Sequence, residues 1–268
     1  MSALHFESAG FGEPIIFIHG WGVSSAVWKE EADYFSKRFR AVTVDLPGHG
    51  KSAPVDVELT IKLCAELLKE LMKNEGLEGA HLVGWSLGAE VAARTAMISG
   101  GRLVRSLVSV GGTPCYVAPT QKDEWGMPEG KAKYFQRQLE RDFSVSLSMF
   151  IHTFFEAEKD ISAERAAFIK SVFFGEDFPP DQRSAIDLLK SLYDEDLRGE
   201  LKASPLTLPL LVCHGDRDMI VPIGAAEQWS ALLSQVKIVK FENCGHAPFL
   251  TNSELFRETV ENFITALG

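Results

Sequence analysis

The chain has 268 residues, of which 46% are hydrophobic and 24% charged, a composition typical of globular proteins rather than disordered ones. Its 37 acidic and 27 basic side chains give a formal net charge of −10, which disfavours nucleic-acid binding because that requires clustered cations. The N-terminal segment lacks a signal-peptide pattern, and the longest apolar runs are too short to span a bilayer, so we expect no membrane association.

Short apolar segments alternate with helical patterns, which indicates an α/β fold with a largely parallel sheet covered on both faces. The predicted strands are residues 14–20, 41–48, 80–85, 104–112, 208–215 and 236–241, with an antiparallel edge strand near residues 4–8. The predicted helices are residues 27–39, 60–74, 87–99, 225–233 and 253–267.

Residues 113–192 interrupt this alternation, because they contain helical patterns and no strand-like run. Structureless loops of that length are rare, so the segment predicts a helical cap inserted before the last two core strands and lying over the site. The core domain then comprises residues 1–112 and 193–268. The alternative is a small domain of unrelated role.

The strongest local motif is Gly84-Trp85-Ser86-Leu87-Gly88, which follows a predicted strand and precedes a predicted helix. This arrangement is typical of a nucleophile elbow, in which the glycines remove side chains that would clash in a tight turn. By composition the pattern arises by chance in about one chain in ten of this length, so a serine turn without chemistry is the alternative. The strand–helix context favours Ser86 as a nucleophile.

A serine nucleophile needs a base, and the base needs an orienting acid. His246 follows the last predicted strand and precedes the final helix, so its ring can reach the elbow. Asp218 leaves the strand at 208–215, and the order serine, aspartate, histidine is the one expected for this arrangement. Asp216 is the competing acid. We interpret the remaining histidines as structural or without a partner motif: His5, His19, His49, His81, His152 and His214.

Two backbone amides are candidates for holding the oxyanion of an acyl-transfer intermediate. One belongs to Leu87, the residue after the nucleophile, and the other to Trp21 in the sequence HGWG. The segment DLPGHGKS (45–52) lacks the spacing of a phosphate loop, so we interpret it as a structural loop beneath the site.

The four cysteines show neither CxxC spacing nor a metal-ligand pattern, so we expect no metal and no cofactor. Cys64 and Cys213 lie in apolar segments and are predicted to be buried free thiols, which fits a cytoplasmic protein.

Five motifs, HGWG, DLPGHGKS, GWSLG, HGDRDMIVP and CGHAPFL, resemble the α/β-hydrolase superfamily along nearly the whole chain. Narrower features resemble the pimeloyl-[acyl-carrier protein] methyl ester esterases of biotin synthesis. These are the tryptophans in HGWG and GWSLG, then TPCYVA (113–118), DEW (123–125), FQRQLERDF (135–143) and DLRGEL (196–201).

The resemblance implies a serine carboxylesterase with the triad Ser86, Asp218 and His246, acting on a substrate linked to acyl carrier protein. It implies substrate contacts from Trp21, Ser86, Leu87, Phe135, Gln136, Arg137, Gln138, Leu139 and His246. The chain departs from the family pattern at Arg137, within a run that is otherwise rich in glutamine, and at Ala89, where a second glycine is common.

The segment 133–143 has two periodic patterns. If it forms one helix, Phe135, Leu139 and Phe143 make an apolar stripe that can roof an acyl pocket. Lys133, Arg137 and Arg141 recur at the same spacing on the other side and are candidates for docking an acidic carrier. Because acidic residues interrupt these cations, an ordinary amphipathic helix with a solvated polar face is the alternative.

Other functions remain open at this level. A general short-chain carboxylesterase or a carbon–carbon bond hydrolase would use the same fold and triad, and a non-catalytic ligand-binding module is a third alternative. Enzymes with an aspartate nucleophile, such as dehalogenases and epoxide hydrolases, are disfavoured by Ser86. We expect a monomer whose only macromolecular partner is the carrier.

Overall fold

A computed structural model describes residues 4–99, 102–118, 125–154, 161–175 and 179–268. The strands are β1 (Phe6–Ala9), β2 (Pro14–Ile18), β3 (Arg40–Val44), β4 (Ala80–Trp85), β5 (Val104–Val110), β6 (Val117–Ala118), β7 (Met127–Pro128), β8 (Leu210–Gly215) and β9 (Val236–Phe241). The helices are α1 (Lys29–Phe35), α2 (Ile61–Asn74), α3 (Leu87–Ser99), α4 (Glu129–Arg141), α5 (Phe143–Thr153), α6 (Ala163–Phe173), α7 (Gln182–Asp194), α8 (Arg198–Ala203), α9 (Ile223–Leu232), α10 (Pro248–Thr251) and α11 (Ser253–Thr265).

Seven strands form one sheet in the order β1-β3-β2-β4-β5-β8-β9. The β1 strand runs antiparallel to β3, and every other neighbouring pair in this sheet is parallel. Every residue of β4 and β8 is buried, as expected for interior strands of a parallel sheet with helices on both faces. The predicted parallel α/β architecture and its antiparallel edge strand are therefore confirmed.

Local capping explains where the helices begin and end. The second helix starts at Ile61 because Thr60 adopts an extended backbone and its Oγ1 accepts a hydrogen bond from the Leu63 amide at 3.1 Å. The helix predicted over 27–39 is instead divided into a 3₁₀ turn, Ser25–Trp28, and the shorter α1.

The segment between β5 and β8 contains helices α4 to α8. It also contains β6 and β7, which pair in parallel through Val117 opposite Met127 and Ala118 opposite Pro128. The prediction that residues 113–192 contain no strand was therefore wrong. The division into a core and a cap at 113 and 192 stays a prediction, and positions 123 and 124 of the DEW motif lie outside the described residues.

The predicted single helix over 133–143 was also wrong. The fourth helix ends at Arg141, and Asp142, with an extended backbone (φ −152°), caps the start of α5. Phe143 therefore opens a new helix and does not continue the stripe of Phe135 and Leu139. Leu139 and Phe143 are nevertheless buried and Phe135 is half-buried, so all three contribute to packing.

Candidate active site

Ser86 lies in the turn between β4 and α3 with a left-handed backbone, φ +53°. Its amide donates to the Val110 carbonyl at 2.8 Å, which anchors the turn to the neighbouring strand. A Cβ at Gly84 would lie 2.2 Å from the Gly88 carbonyl oxygen, and one at Gly88 would lie 2.4 Å from the Ile18 carbonyl oxygen. Only glycine fits at either position, so the G-x-S-x-G pattern follows from backbone crowding.

Asp218 and His246 form a buried acid–base pair. The Nδ1 of His246 lies 2.7 Å from the Oδ2 of Asp218, and neither side chain has more than 1% of its surface exposed. The other oxygen, Oδ1, accepts from the amides of Ile220 at 2.8 Å and Val221 at 2.9 Å. Burial raises the pKa of Asp218, but the charge of His246 and its hydrogen bond outweigh this and hold the pKa below its ordinary value. An ionised carboxylate thus faces Nδ1, which leaves Nε2 of His246 as the basic nitrogen.

The loop carrying His246 packs directly against the elbow. The indole Nε1 of Trp85, the residue before Ser86, donates to the His246 carbonyl at 2.8 Å, and the two rings lie 5.5 Å apart. Gly111, with φ +57°, directly follows β5, and a Cβ there would come within 3.1 Å of the His246 imidazole. The structure therefore brings the predicted base and acid beside the turn that carries the predicted nucleophile.

A continuous aromatic surface connects His246 to helices α4 and α5. The ring of Trp21 meets Phe135 edge-on at 5.9 Å and Phe150 at 5.3 Å. The ring of Phe150 meets Phe154 at 5.0 Å, and Phe154 lies 5.3 Å from the imidazole of His246. These rings form an apolar surface that reaches His246.

The two predicted oxyanion donors come from the elbow itself and from the distant HGWG segment. Leu87 is the first residue of α3, so its amide is among those without an acceptor inside the helix. Trp21 is buried, and its indole Nε1 donates to the Ala185 carbonyl in α7 at 2.7 Å, which fixes the HGWG loop against that helix. Their role as oxyanion donors stays a prediction.

The predicted substrate-contact segment is divided between two environments. Leu139 is buried, Phe135, Gln136 and Gln138 are half-buried, and Arg137 is exposed. Arg137 therefore lies at the surface, apart from the buried Leu139.

The three predicted docking cations, Lys133, Arg137 and Arg141, are all exposed on α4. Lys133 forms an ion pair with Glu129 one turn earlier in the same helix. That pairing offsets the charge of Lys133, and the exposed Glu140 and Asp142 lie beside Arg137 and Arg141 in the chain.

Sequence reasoning missed the position of His214. We interpreted it as structural, but its Nε2 lies 3.3 Å from the Oδ2 of Asp218, the oxygen that also meets His246. The available signal was the spacing: His214 is the next-to-last residue of β8, four residues before the acid, at the edge of the sheet where the site assembles.

His19 is structural, as predicted, and its ring lies against the buried ring of His49. In His19 the Nδ1 donates to the Gly20 carbonyl at 2.7 Å, and Nε2 accepts from the Leu46 amide at 2.9 Å. This pattern requires a neutral ring, and burial accordingly lowers the pKa of His19. Burial, followed by the proximity of His19, lowers the pKa of His49 to about 3.

The loop at 45–52 is held together by its own side chains. Asp45 is buried and accepts from the amides of Ser25 at 2.7 Å and Lys51 at 3.0 Å. The hydroxyl of Ser52 donates to the Asp45 carbonyl at 2.7 Å. These bonds agree with a structural loop.

Cys64, Cys115, Cys213 and Cys244 are free and buried, which confirms the prediction for Cys64 and Cys213. Within the described residues, no group of three or more histidine, cysteine or acidic side chains is placed to hold a metal ion. The described helices are all too short or too polar to cross a membrane.

Comparison with known proteins identifies the family. Residues 13–253 match the model of the α/β hydrolase fold. A pimeloyl-[acyl-carrier protein] methyl ester esterase from Nitrosomonas europaea is 35% identical over 96% of this chain and 97% of its own length. The esterase of the same name from Aliivibrio fischeri is 31% identical over 98% of each chain.

Solved structures show the same fold. An esterase from Exiguobacterium antarcticum superposes with a TM-score of 0.87 at 23% identity, covering 98% of this chain and 95% of its own. A bromoperoxidase from Bacillus anthracis gives a TM-score of 0.88 at 23% identity with the same coverage. The chain therefore belongs to the α/β-hydrolase fold family and, within it, to the carboxylic ester hydrolases represented by the pimeloyl-[acyl-carrier protein] methyl ester esterases.

Proposed function

We propose that this protein hydrolyses the methyl ester of a pimeloyl chain carried by acyl carrier protein, the step that frees the terminal carboxylate in biotin biosynthesis. The observation that carries the proposal is the 2.7 Å contact between His246 and Asp218, packed against the elbow of Ser86. The relatives of the same name, similar over almost the full length, supply the substrate class.

The proposed reaction is a two-step acyl transfer without metal or cofactor. Nε2 of His246 takes the proton of the Ser86 hydroxyl as the oxygen attacks the ester carbonyl. The amides of Leu87 and Trp21 stabilise the tetrahedral oxyanion, and the imidazolium returns the proton to the departing methoxide. Water then attacks the acyl-enzyme with the same base, releasing the free acid and Ser86.

The carrier would dock on the exposed face of α4. Acyl carrier proteins are acidic, whereas this chain has a net charge of −10, so binding requires a local positive surface. Arg137 and Arg141 supply exposed cations on α4, the same helix whose Phe135 packs against Trp21. A cationic patch here would orient an arriving carrier so that its acyl chain enters beside His246.

The first experiment tests the nucleophile. Ser86→Ala should abolish turnover of short p-nitrophenyl esters and labelling by a fluorophosphonate probe, while thermal unfolding stays close to wild type. Full retained turnover in this variant would refute the assignment of Ser86.

The second experiment tests the carrier. The double variant Arg137→Gln with Arg141→Gln should have a kcat/KM for carrier-linked pimeloyl methyl ester that is lower by about tenfold. Its kcat/KM for free short-chain esters should be unchanged. The defect should shrink at high ionic strength, where exposed charges are screened. The matched control is Lys29→Gln with Lys37→Gln, which removes the same charge from the exposed surface around α1. Equal effects of the two double variants would exclude a specific docking face.

A further inference from the structure

His214 has an environment that a purely structural histidine does not need. It is fully buried at the end of β8, and its Nε2 has two oxygen neighbours: the Val221 carbonyl at 2.8 Å and the Oδ2 of Asp218 at 3.3 Å. Its Nδ1 is buried without a hydrogen-bond partner among the described residues.

These contacts determine the tautomer of His214. A carbonyl oxygen and an ionised carboxylate can only accept hydrogen bonds, so the single proton of a neutral ring must be on Nε2. Burial lowers the pKa of His214, which agrees with a neutral ring.

The Nε2 proton closes a ring of contacts around the acid. His214 holds the Val221 carbonyl, and the amide of Val221 in turn donates to Oδ1 of Asp218 at 2.9 Å. Oδ2 then lies between the two imidazoles, 2.7 Å from His246 and 3.3 Å from His214. The peptide of Val221 and the carboxylate of Asp218 are thus fixed together.

We propose that His214 is a positioning residue that holds the Asp218 loop and shares Oδ2, so that the acid keeps His246 in the orientation needed to accept the proton of Ser86. This inference rests on the proposed serine esterase mechanism and adds a fourth side chain to it.

Loss of the Nε2 proton has two separable consequences. The loop relaxes, so His246 is less well aligned and kcat falls. The carboxylate also loses a neighbouring positive hydrogen, so it stabilises the imidazolium of His246 more strongly. Among the described residues, Tyr116 also interacts electrostatically with Asp218, and burial raises its pKa well above its usual value, followed by smaller effects of Tyr193 and Asp218. Because Tyr116 stays neutral, we expect the change in charge on replacing His214 to act on the pair Asp218 and His246.

The test uses steady-state kinetics with a p-nitrophenyl ester, which needs neither the carrier nor a pimeloyl chain. His214→Phe should lower kcat about tenfold with little change in KM, as expected for misalignment of the base. The acid limb of the kcat/KM profile should move to higher pH by about half a unit.

Amide variants separate positioning from packing. His214→Gln can place an N–H near the position of Nε2 and should restore most of kcat, whereas the shorter side chain in His214→Asn cannot and should stay slow. The matched control is His81→Phe, which replaces another fully buried histidine on β4, one that bonds Ser106 and has its Nε2 3.6 Å from a Glu13 carboxylate oxygen. Thermal unfolding of each variant reports the structural cost.

The proposal is overturned if His214→Phe matches His81→Phe in kcat and in its pH profile, or if Gln and Asn are equally slow. If the protein failed to turn over the carrier-linked ester, the proposed substrate would be contradicted. If Ser86→Ala remained active, the serine mechanism would be contradicted. These outcomes are therefore distinguishable from failure of the role of His214.

Discussion

At the scale of single residues, the site depends on a few backbone and side-chain positions that tolerate little change. Ser86 holds a left-handed conformation that non-glycine residues rarely adopt, and such strain persists only where the surroundings enforce it. Here β4, the Val110 carbonyl and the two close glycine contacts enforce it. The hydroxyl is thereby presented at the sharp bend instead of packing along the strand.

The two candidate acids, Asp218 and Asp216, differ in burial and in their contacts. Asp218 has a buried side chain bonded to His246, whereas Asp216, two residues earlier, is exposed. Asp218→Asn should lower kcat by up to about 10⁴-fold, because an amide cannot hold the imidazole in the tautomer that accepts the serine proton. Asp216→Asn should stay close to wild type in the same assay. A larger loss in Asp216→Asn would show that the acid has been assigned to the wrong residue.

At the scale of elements, the helices between β5 and β8 are attached to the helices around the sheet by specific ion pairs as well as by aromatic packing. Arg165 in α6 donates Nη1 to Glu30 of α1 at 2.7 Å, and its Nε donates to the Leu250 carbonyl in α10. Arg257 of α11 also contacts Glu30, at 3.3 Å. One carboxylate therefore connects three helices that are far apart in the chain.

Arg165→Met should loosen α6 from the rest of the molecule. We expect amide hydrogen exchange in α6 to accelerate about tenfold, because a partly buried carboxylate loses one of its two cations. Lys170→Met is the control, since it removes an exposed charge from the same helix. Exchange measured by mass spectrometry on the intact protein distinguishes the two variants, and equal protection in both would contradict an attachment through Arg165.

At the scale of the whole molecule, buried ionisable groups determine how stability responds to pH. Burial raises the pKa of Glu31 from 4.5 to about 7, in spite of its 3.0 Å contact with Arg257. The folded state therefore binds this proton more tightly than the unfolded state. The stability contributed by Glu31 is fully present below pH 4.5 and is lost as pH rises through 7.

Glu31→Gln should remove this dependence. The free energy of unfolding of the wild type, relative to the variant, should fall by about 3 kcal/mol between pH 4.5 and pH 8. Urea unfolding at a series of pH values measures it. The control is Glu58→Gln, which removes an exposed carboxyl, and its curve of unfolding free energy against pH should run parallel to that of the wild type. If the curve of Glu31→Gln were also parallel to the wild type, the raised pKa of Glu31 would be refuted.

Strands, helices and turns that depend on residues close together in the chain were predictable from the sequence. The bounds of β4, α3 and β9 match the predictions, and Gly84 and Gly88 identified the turn at Ser86 because crowding within a few residues requires glycine there. The helix break at Asp142 was not predicted, because residues 133–143 keep a helical spacing of apolar positions across it. A capping aspartate competes with helix continuation, and tertiary packing decides between the two.

By itself, the sequence determined the α/β architecture, the elbow of Ser86 and the identity of the candidate base and acid, since periodicity, glycine placement and motif order are properties of neighbouring residues. Only the tertiary structure decided that His214 shares an oxygen of Asp218 with His246 and that a line of rings joins Trp21 to His246. The physical reason is that these contacts form between strand ends and helices distant in the chain, so their geometry exists only once the sheet has assembled and the inserted helices have packed on it.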